Sequence, residues 1–347
     1  MKSGGSAKMK DVAELAGVSI KTVSRVLNNE PHVQDKLRRK VKEAVERLNY
    51  VPSQSARSLR GNRSYDINLI SHSRNSPYIN SIQFGAVIAC QKLGYQLSIS
   101  LFEELNGKPI DAIRAAFEAL MLHRKPDAVM LVAPYAGNEK IDYVLQELGI
   151  PVVRIGPVDI SHRGVLVEID DHKASIELTQ HLIGLGHKRV GFVRGIEDQR
   201  ATHVRYSGFC VAMDAAGLSV EESLVRKGEF DFESGFEAGE YFIGLEAPPT
   251  AVFCSNDDMA AGVVSACTVS GVKVPEEMSV VGFDDADVAT RMRPLLTTIR
   301  QPLDELGALA VRELIAQLNT NGKAEPKRIV LGHEFIERDT TAPSPVD

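Results

Sequence analysis

The chain has 347 residues, 44% of them hydrophobic, and a net charge of −6, so it is long enough for two or three packed units and too apolar to be disordered along its length. It contains no run of about 18 uncharged apolar residues, and its start, MKSGGSAKMK, lacks an apolar signal core, which argues against a membrane span or export and for a cytoplasmic protein. Cys90, Cys210, Cys254 and Cys267 fall singly in apolar segments, without a C-x-x-C pair or a His at ligand spacing, and read as buried hydrophobes rather than a disulfide or metal framework.

The net charge conceals an asymmetry. Residues 1–62 hold 13 Lys or Arg against 6 Asp or Glu, a charge of +7, which leaves −13 on the remainder. A basic head on an acidic body points to a polyanion met by the head alone, since phosphate contacts supply most sequence-independent nucleic-acid affinity.

After an N-terminal extension over residues 1–8, the stretch KDVAELAGVSIKTVSRVL predicts two short helices around a tight turn. Val12, Ala13, Leu15 and Ala16 form an apolar stripe, Gly17 can take the left-handed conformation, and Ser19 is a good N-cap. Val23, Val26 and Leu27 lie at core spacing in the second helix, leaving Ile20, Lys21, Thr22, Ser24, Arg25 and Asn28 on the outer face and rim, where guanidinium and ammonium groups suit the major groove. A third helix carries Leu37, Val41, Ala44, Val45 and Leu48 on one face. Lys8 and Gln34 are weak caps for the first and third helices, although Asp35 favours the dipole of the third. Pro52 ends the head and fits the first turn of a further short helix.

From Ile67 onward short β-branched runs alternate with amphipathic stretches, which predicts parallel sheets with crossover helices. Strands are expected at Ile67–Ser71, Tyr95–Leu101, Asp127–Ala133, Val152–Gly156, Val165–Ile169, Arg189–Arg194, Ala251–Ser255 and Ser279–Asp284. About 270 residues exceed one doubly wound domain, so the body divides into two α/β lobes, lobe 1 at about 63–160 and 294–322 and lobe 2 at about 161–293 and 323–342, with a tail over 343–347. Open parallel sheets bind ligands at the carboxyl ends of their strands. Asn256 and Asp257 follow one strand and Asp284 and Asp285 another; with Arg205 at a helix start these acceptors could grip hydroxyl groups while Phe230 stacks on an apolar ring face. Each has a structural alternative: Asp284 could cap a turn, Asn256 cap a helix, Arg205 pair with a surface acid and Phe230 fill a core.

Residues 9–62, with DVAELAGVSIKTVSRVLNN, LNYVP and ARSLRGN, resemble the head and hinge of the LacI/GalR (lactose-repressor) family of bacterial transcriptional regulators. The stretches HLIGLGHKRVGFVRG, AVFCSNDDMAAG, GVKVPEEMSVVGFDD and PLLTTIRQPLDELG are similar to that family's periplasmic-binding-protein-like module. The resemblance implies a helix-turn-helix head over 9–52, a hinge helix over 53–62 and an effector-binding and dimerisation module over 63–342. It implies base reading by Ile20, Lys21 and Arg25, phosphate contacts from Ser24 and Asn28, Ala56 in the minor groove and Leu59 as a wedge between base pairs. It further implies an effector pocket lined by Tyr78, Arg205, Phe230, Asn256, Asp284 and Gln301. Gln199 and Arg200 have no secure counterpart.

No G-x-S-x-G elbow, H-E-x-x-H or Walker loop is present, and GLGH at 184–187 lies between a helix and a strand, the reverse of a phosphate loop. No metal or cofactor is expected, and the chain reads as a regulator rather than an enzyme. The expected partners are double-stranded operator DNA, a small-molecule effector (a sugar, with a purine as the other choice) and a second copy of the chain joined through helices near Tyr78–Lys92. A tail without an apolar heptad favours a dimer over a tetramer. Two other classes remain as alternatives: a sugar sensor whose head contacts a protein, and a sugar-processing enzyme.

Overall fold

The computed structural model describes residues 7–27, 33–48, 50, 63–72, 76–102, 105–158, 164–320 and 326–345. The chain forms two compact units, Met1–Tyr65 and Asp66–Asp347.

The first unit contains α1 (Met9–Ala16), α2 (Ile20–Leu27) and α3 (Asp35–Arg47). Val12, Ala13, Ala16, Val23, Val26, Val41, Ala44 and Tyr50 make its core. Gly17 has φ 63° and ends α1 in the left-handed conformation, as a residue without Cβ permits. The Ser19 hydroxyl accepts from the Thr22 backbone amide at 3.1 Å and caps α2. Lys8 is a better start than its side chain suggests, because Asp11 reaches back to accept from the Lys8 amide at 2.7 Å. Leu15, expected in the core stripe, is 45% exposed; Val12, Ala13 and Ala16 fill the buried face, and Leu15 projects to its side.

The second unit begins with β1 (Asp66–Ser71), α4 (Pro77–Leu93), β2 (Gln96–Leu101), α5 (Ile110–His123), β3 (Ala128–Leu131), α6 (Glu139–Glu147), β4 (Val152–Ile155) and β5 (Val165–Ile169). Then come α7 (Asp171–Gly184), β6 (Val190–Val193), α8 (Arg200–Ala215), β7 (Val225–Arg226), α9 (Phe232–Ile243), β8 (Ala251–Cys254), α10 (Asp257–Ser270), β9 (Ser279–Val281) and α11 (Asp287–Arg291). The chain ends through β10 (Thr298–Arg300), α12 (Leu303–Asn319), β11 (Lys327–Leu331) and β12 (Glu334–Ile336).

Lobe 1 is built on a parallel sheet ordered β11-β5-β4-β3-β1-β2, and lobe 2 on one ordered β7-β6-β8-β9. Central strands such as β1, β3, β6 and β8 are buried throughout, as helices on both faces require of a parallel sheet. A third, antiparallel pair, β10 with β12, belongs to neither sheet.

This topology moves the expected lobe boundaries. β5 pairs with β4 and β11, so its ladder groups are satisfied within lobe 1, and the chain first leaves that lobe after Ile169 rather than near 160. The return is made by β10 rather than between 293 and 294, and β11 is a lobe 1 strand, so the last crossing follows Leu331 rather than 322. Three crossovers therefore join the lobes: the β5–α7 junction, β10 and β12. Helix α12 lies against α4 across a glycine contact, where a methyl group on Gly85 would overlap the Asp304 carbonyl and one on Gly307 that of Ile82. Among the described residues no helix is long and apolar enough to cross a membrane.

Candidate functional site

On the head, the outer face of α2 is assembled by default. Val23 and Val26 are buried in the three-helix core, so the 3.6-residue period turns Ile20 (41% exposed), Lys21 and Arg25 outward. Thr22 and Ser24 are half-buried. The Thr22 hydroxyl meets the Ser19 hydroxyl at 2.9 Å, which joins it to the cap. Asn28, Ala56 and Leu59, with the expected hinge helix, lie outside the described residues.

In the second unit a cleft of about 240 Å³ opens between the lobes. Tyr78 and His72 line it from lobe 1, and Arg205, Phe230, Asn256 and Asp284 from lobe 2. Tyr78 lies in the first turn of α4, which Ser76 caps by accepting from the Ile79 amide at 3.3 Å. Arg205 is held on three sides. Its Nε donates to Asp171 Oδ1 at 2.7 Å, its Nη1 donates to the Ser255 carbonyl at 2.5 Å, and its guanidinium carbon lies 3.7 Å from the Phe283 ring centroid. A buried cation so arranged is pre-organised for a ligand oxygen.

Asp284 Oδ1 lies 3.8 Å from Arg205 Nη1 and accepts from Gln301 Nε2 at 2.6 Å. Attraction at that separation is about 4 kcal/mol in an effective dielectric near 20, whereas removing a carboxylate from water costs several kcal/mol. Desolvation prevails. Burial pushes the Asp284 carboxyl up to about 7, against the opposing pull of Arg205 and Gln301. Burial likewise raises Asp257 well above the usual carboxylate range, with Asp284 adding to it, and raises Asp258 and Tyr78. Burial lowers His72.

Backbone strain gathers at the same place. Phe230 (φ 58°), Asp284 (φ 118°) and Asp285 (φ 55°) occupy the positive-φ region, at a cost of about 1–3 kcal/mol each that surrounding structure must over-determine. The Phe230 ring lies flat on Gly195, where a Cβ would overlap it.

Two expected pocket residues are hydrogen-bonded to their neighbours in the site. Gln301 stands behind Asp284 rather than in the cleft, lining the adjoining groove. Asn256 reaches the cleft edge, but its Oδ1 caps α10 by accepting from the Met259 amide at 3.0 Å and its Nδ2 donates to the Phe230 carbonyl at 2.9 Å. It thus fixes the strained backbone under Phe230. Arg205 pairs with a buried acid, not a surface one, and Phe230 faces the cleft.

Asp171, His72, Gln199 and the acids Glu229, Asp231 and Asp258 were not anticipated as parts of this site. Asp171 was findable: it closely follows the strand Val165–Ile169, by the rule that selected Asn256 and Asp284. Gln199, without a secure counterpart in the sequence, lines the cleft at the start of α8. Among the described residues no group of three His, Cys, Asp or Glu could hold a metal ion.

Residues 8–53 match the family described as bacterial regulatory proteins, lacI family, and residues 179–341 match the periplasmic binding protein-like domain. The chain is 32% identical to the probable HTH-type transcriptional repressor ExuR of Bacillus subtilis (strain 168), over 96% of this chain and 97% of the relative. It is 32% identical to the ribose operon repressor of Escherichia coli (strain K12), over 96% and 99%. Among solved structures it is similar to the lac repressor dimer bound to operator and the anti-inducer ONPF, with a TM-score of 0.78 and 26% identity over 97% of this chain and 100% of that one.

Proposed function

The chain belongs to the lacI family of bacterial regulatory proteins, and from that premise we propose that it is an effector-controlled repressor, not an enzyme, which binds a palindromic operator as a homodimer in the cytoplasm. The observation that carries this reading is the pairing of a helix-turn-helix head, whose α2 presents Ile20, Lys21 and Arg25 outward, with a two-lobed cleft built around Arg205, Asp284 and Phe230. Lys21 and Arg25 would read base edges, with Ile20 beside them, and Thr22 and Ser24 would lie at the groove rim. Asn28 would contact phosphate, with Ala56 and Leu59 acting in the minor groove.

In the cleft Arg205 would donate to effector oxygens, Asp284 would take or share a hydroxyl proton, and Phe230 and Tyr78 would bound the ligand's flat faces. Asn256 and Gln301 would hold those groups in place. A sugar suits this mixture of acceptors, guanidinium and aromatic faces, and a relative's name refers to the ribose operon. Effector binding would alter the lobe arrangement and so operator affinity; by linkage, operator must alter effector affinity by the same factor.

Duplex binding tests the head. The full chain should bind a palindromic duplex with an affinity that falls steeply as salt rises, because each neutralised phosphate releases a counterion; absence of duplex binding in dilute buffer, with and without sugars, sinks the reading. A thermal-shift screen of mono- and disaccharides against purines identifies the effector class, since a ligand bound only by the folded state stabilises it.

A further inference from the structure

Asp284 faces the cleft, but the next residue serves a different part of the molecule. Asp285 does not line the cleft, and its side chain is only 6% exposed. Its Oδ2 accepts from Arg300 Nε at 2.7 Å, and its Oδ1 lies 2.6 Å from Arg338 Nη2. Arg300 is the last residue of β10, the crossover from lobe 2 to lobe 1, and Arg338 follows β12, the crossover back. The Arg338 guanidinium also donates to the Leu296 carbonyl at 2.8 Å. A single buried carboxylate therefore lies between the two hinge strands.

The backbone reinforces the connection. The Asp284 amide donates to the Ile299 carbonyl at 2.8 Å, so the turn carrying the cleft carboxylate is docked edgewise on β10. Without Asp285, β10 and β12 would keep a three-residue antiparallel pairing and the Arg300–Glu334 contact at 3.0 Å. That contact is 47% and 67% exposed, and ion pairs so exposed hold little. The Arg300 and Arg338 guanidiniums would meanwhile lose the carboxylate they share, and Arg338 is only 12% exposed. The third crossover is tied separately, by Arg205 to Asp171 in the first turn of α7.

We infer that Asp285 is a positioning residue that fastens the effector-reading turn to two of the three lobe crossovers, so that displacement of Asp284 and loosening of the hinge strands are one event. This rests on the reading of the cleft as an effector site. It adds the route by which occupancy of that site reaches the hinge, through a two-state element that both ends bias.

Native-state hydrogen exchange of the full chain tests it. Asp285→Asn should speed exchange at residues 284–286, 298–300 and 334–338 by roughly tenfold while leaving β1 and β3 within about twofold. Asp284→Asn should also speed exchange in the hinge strands, where a purely local packing role would leave residues 334–338 unmoved, and should add nothing there once Asp285→Asn is present. If Asp285→Asn does not fold, Arg338→Gln, which keeps the Arg300 contact, reports on the same amides. Unchanged hinge exchange in the single variant, or additive effects in the double variant, overturns the assignment. The measurement needs neither operator nor effector, so its failure removes the fastening and leaves the regulator reading intact, whereas failure to bind DNA does the reverse.

Discussion

Arg205 and Asp171 form an ion pair at 2.7 Å in which the side chains are 6% and 1% exposed. The pair joins α8 to the first turn of α7, immediately past the first lobe crossover, so the Arg205 guanidinium that lines the cleft also ties down the helix that follows that crossover. Removing the carboxylate leaves a buried cation whose one remaining acidic partner is Asp284, at 3.8 Å, beside the neutral Ser255 carbonyl and Phe283 ring. Asp171→Asn should lower unfolding free energy by about 3–5 kcal/mol, measured by urea denaturation; a loss well below 1 kcal/mol would show that the pair does not tie that helix down.

The Asp284 carboxyl gives the cleft a pH response. Its folded value is raised by burial from 3.8 to about 7, so the folded state holds a proton that the unfolded chain releases. Its contribution to stability is fully present below pH 3.8 and is lost as pH rises through about 7. The melting temperature of the wild type should fall from about pH 5 to about pH 8 more steeply than that of Asp284→Asn. Parallel curves for the two proteins would remove Asp284 as the titrating group.

Gly195 supports the Phe230 ring at a distance no side chain tolerates. Gly195→Ala should push the ring off its seat and into the cleft. Any compound that raises the wild-type melting temperature should then give little or no shift in the variant, while operator binding without effector is retained. An undiminished ligand shift would exclude Phe230 from the effector contact.

Arg25 is exposed near the end of α2. Arg25→Ala should cost about 1–3 kcal/mol of operator affinity and relax preference at one base pair, read by fluorescence anisotropy against single-base operator variants. An unchanged preference profile would assign Arg25 to phosphate contact or to none.

Much of the molecule was legible before any coordinates. The strand at Val165–Ile169 was recognisable as a β-branched run, and Val12, Val23, Val26 and Val41 as a helical core, because apolar periodicity is a local property of the chain. Lobe membership was not legible. Nothing within Val165–Leu166–Val167 states that its ladder partners are β4, 12 residues earlier (Val153 opposite Val165), and β11, 162 residues later (Lys327 opposite Val165), and the boundaries were misplaced for that reason. Asn256 shows the same limit at a single residue: its type and place after a strand suit both a ligand contact and an N-cap, and only the folded chain shows that it both lines the cleft and caps α10.

By itself, then, the chain's order of residues determined the basic head, the helix-turn-helix and the alternation of strands and helices, since each depends on periodicity or charge, and placed Asp284 after a strand; the grouping of Arg205 and Phe230 with it is what the family resemblance implies. Tertiary structure alone decided which acid neutralises Arg205, that Gln301 stands behind Asp284, and that Asp285 reaches two hinge strands instead of the cleft. Those relations join residues 15 to 53 positions apart, and burial, which raises Asp284 and encloses the Arg205 pair, exists only once the chain has folded.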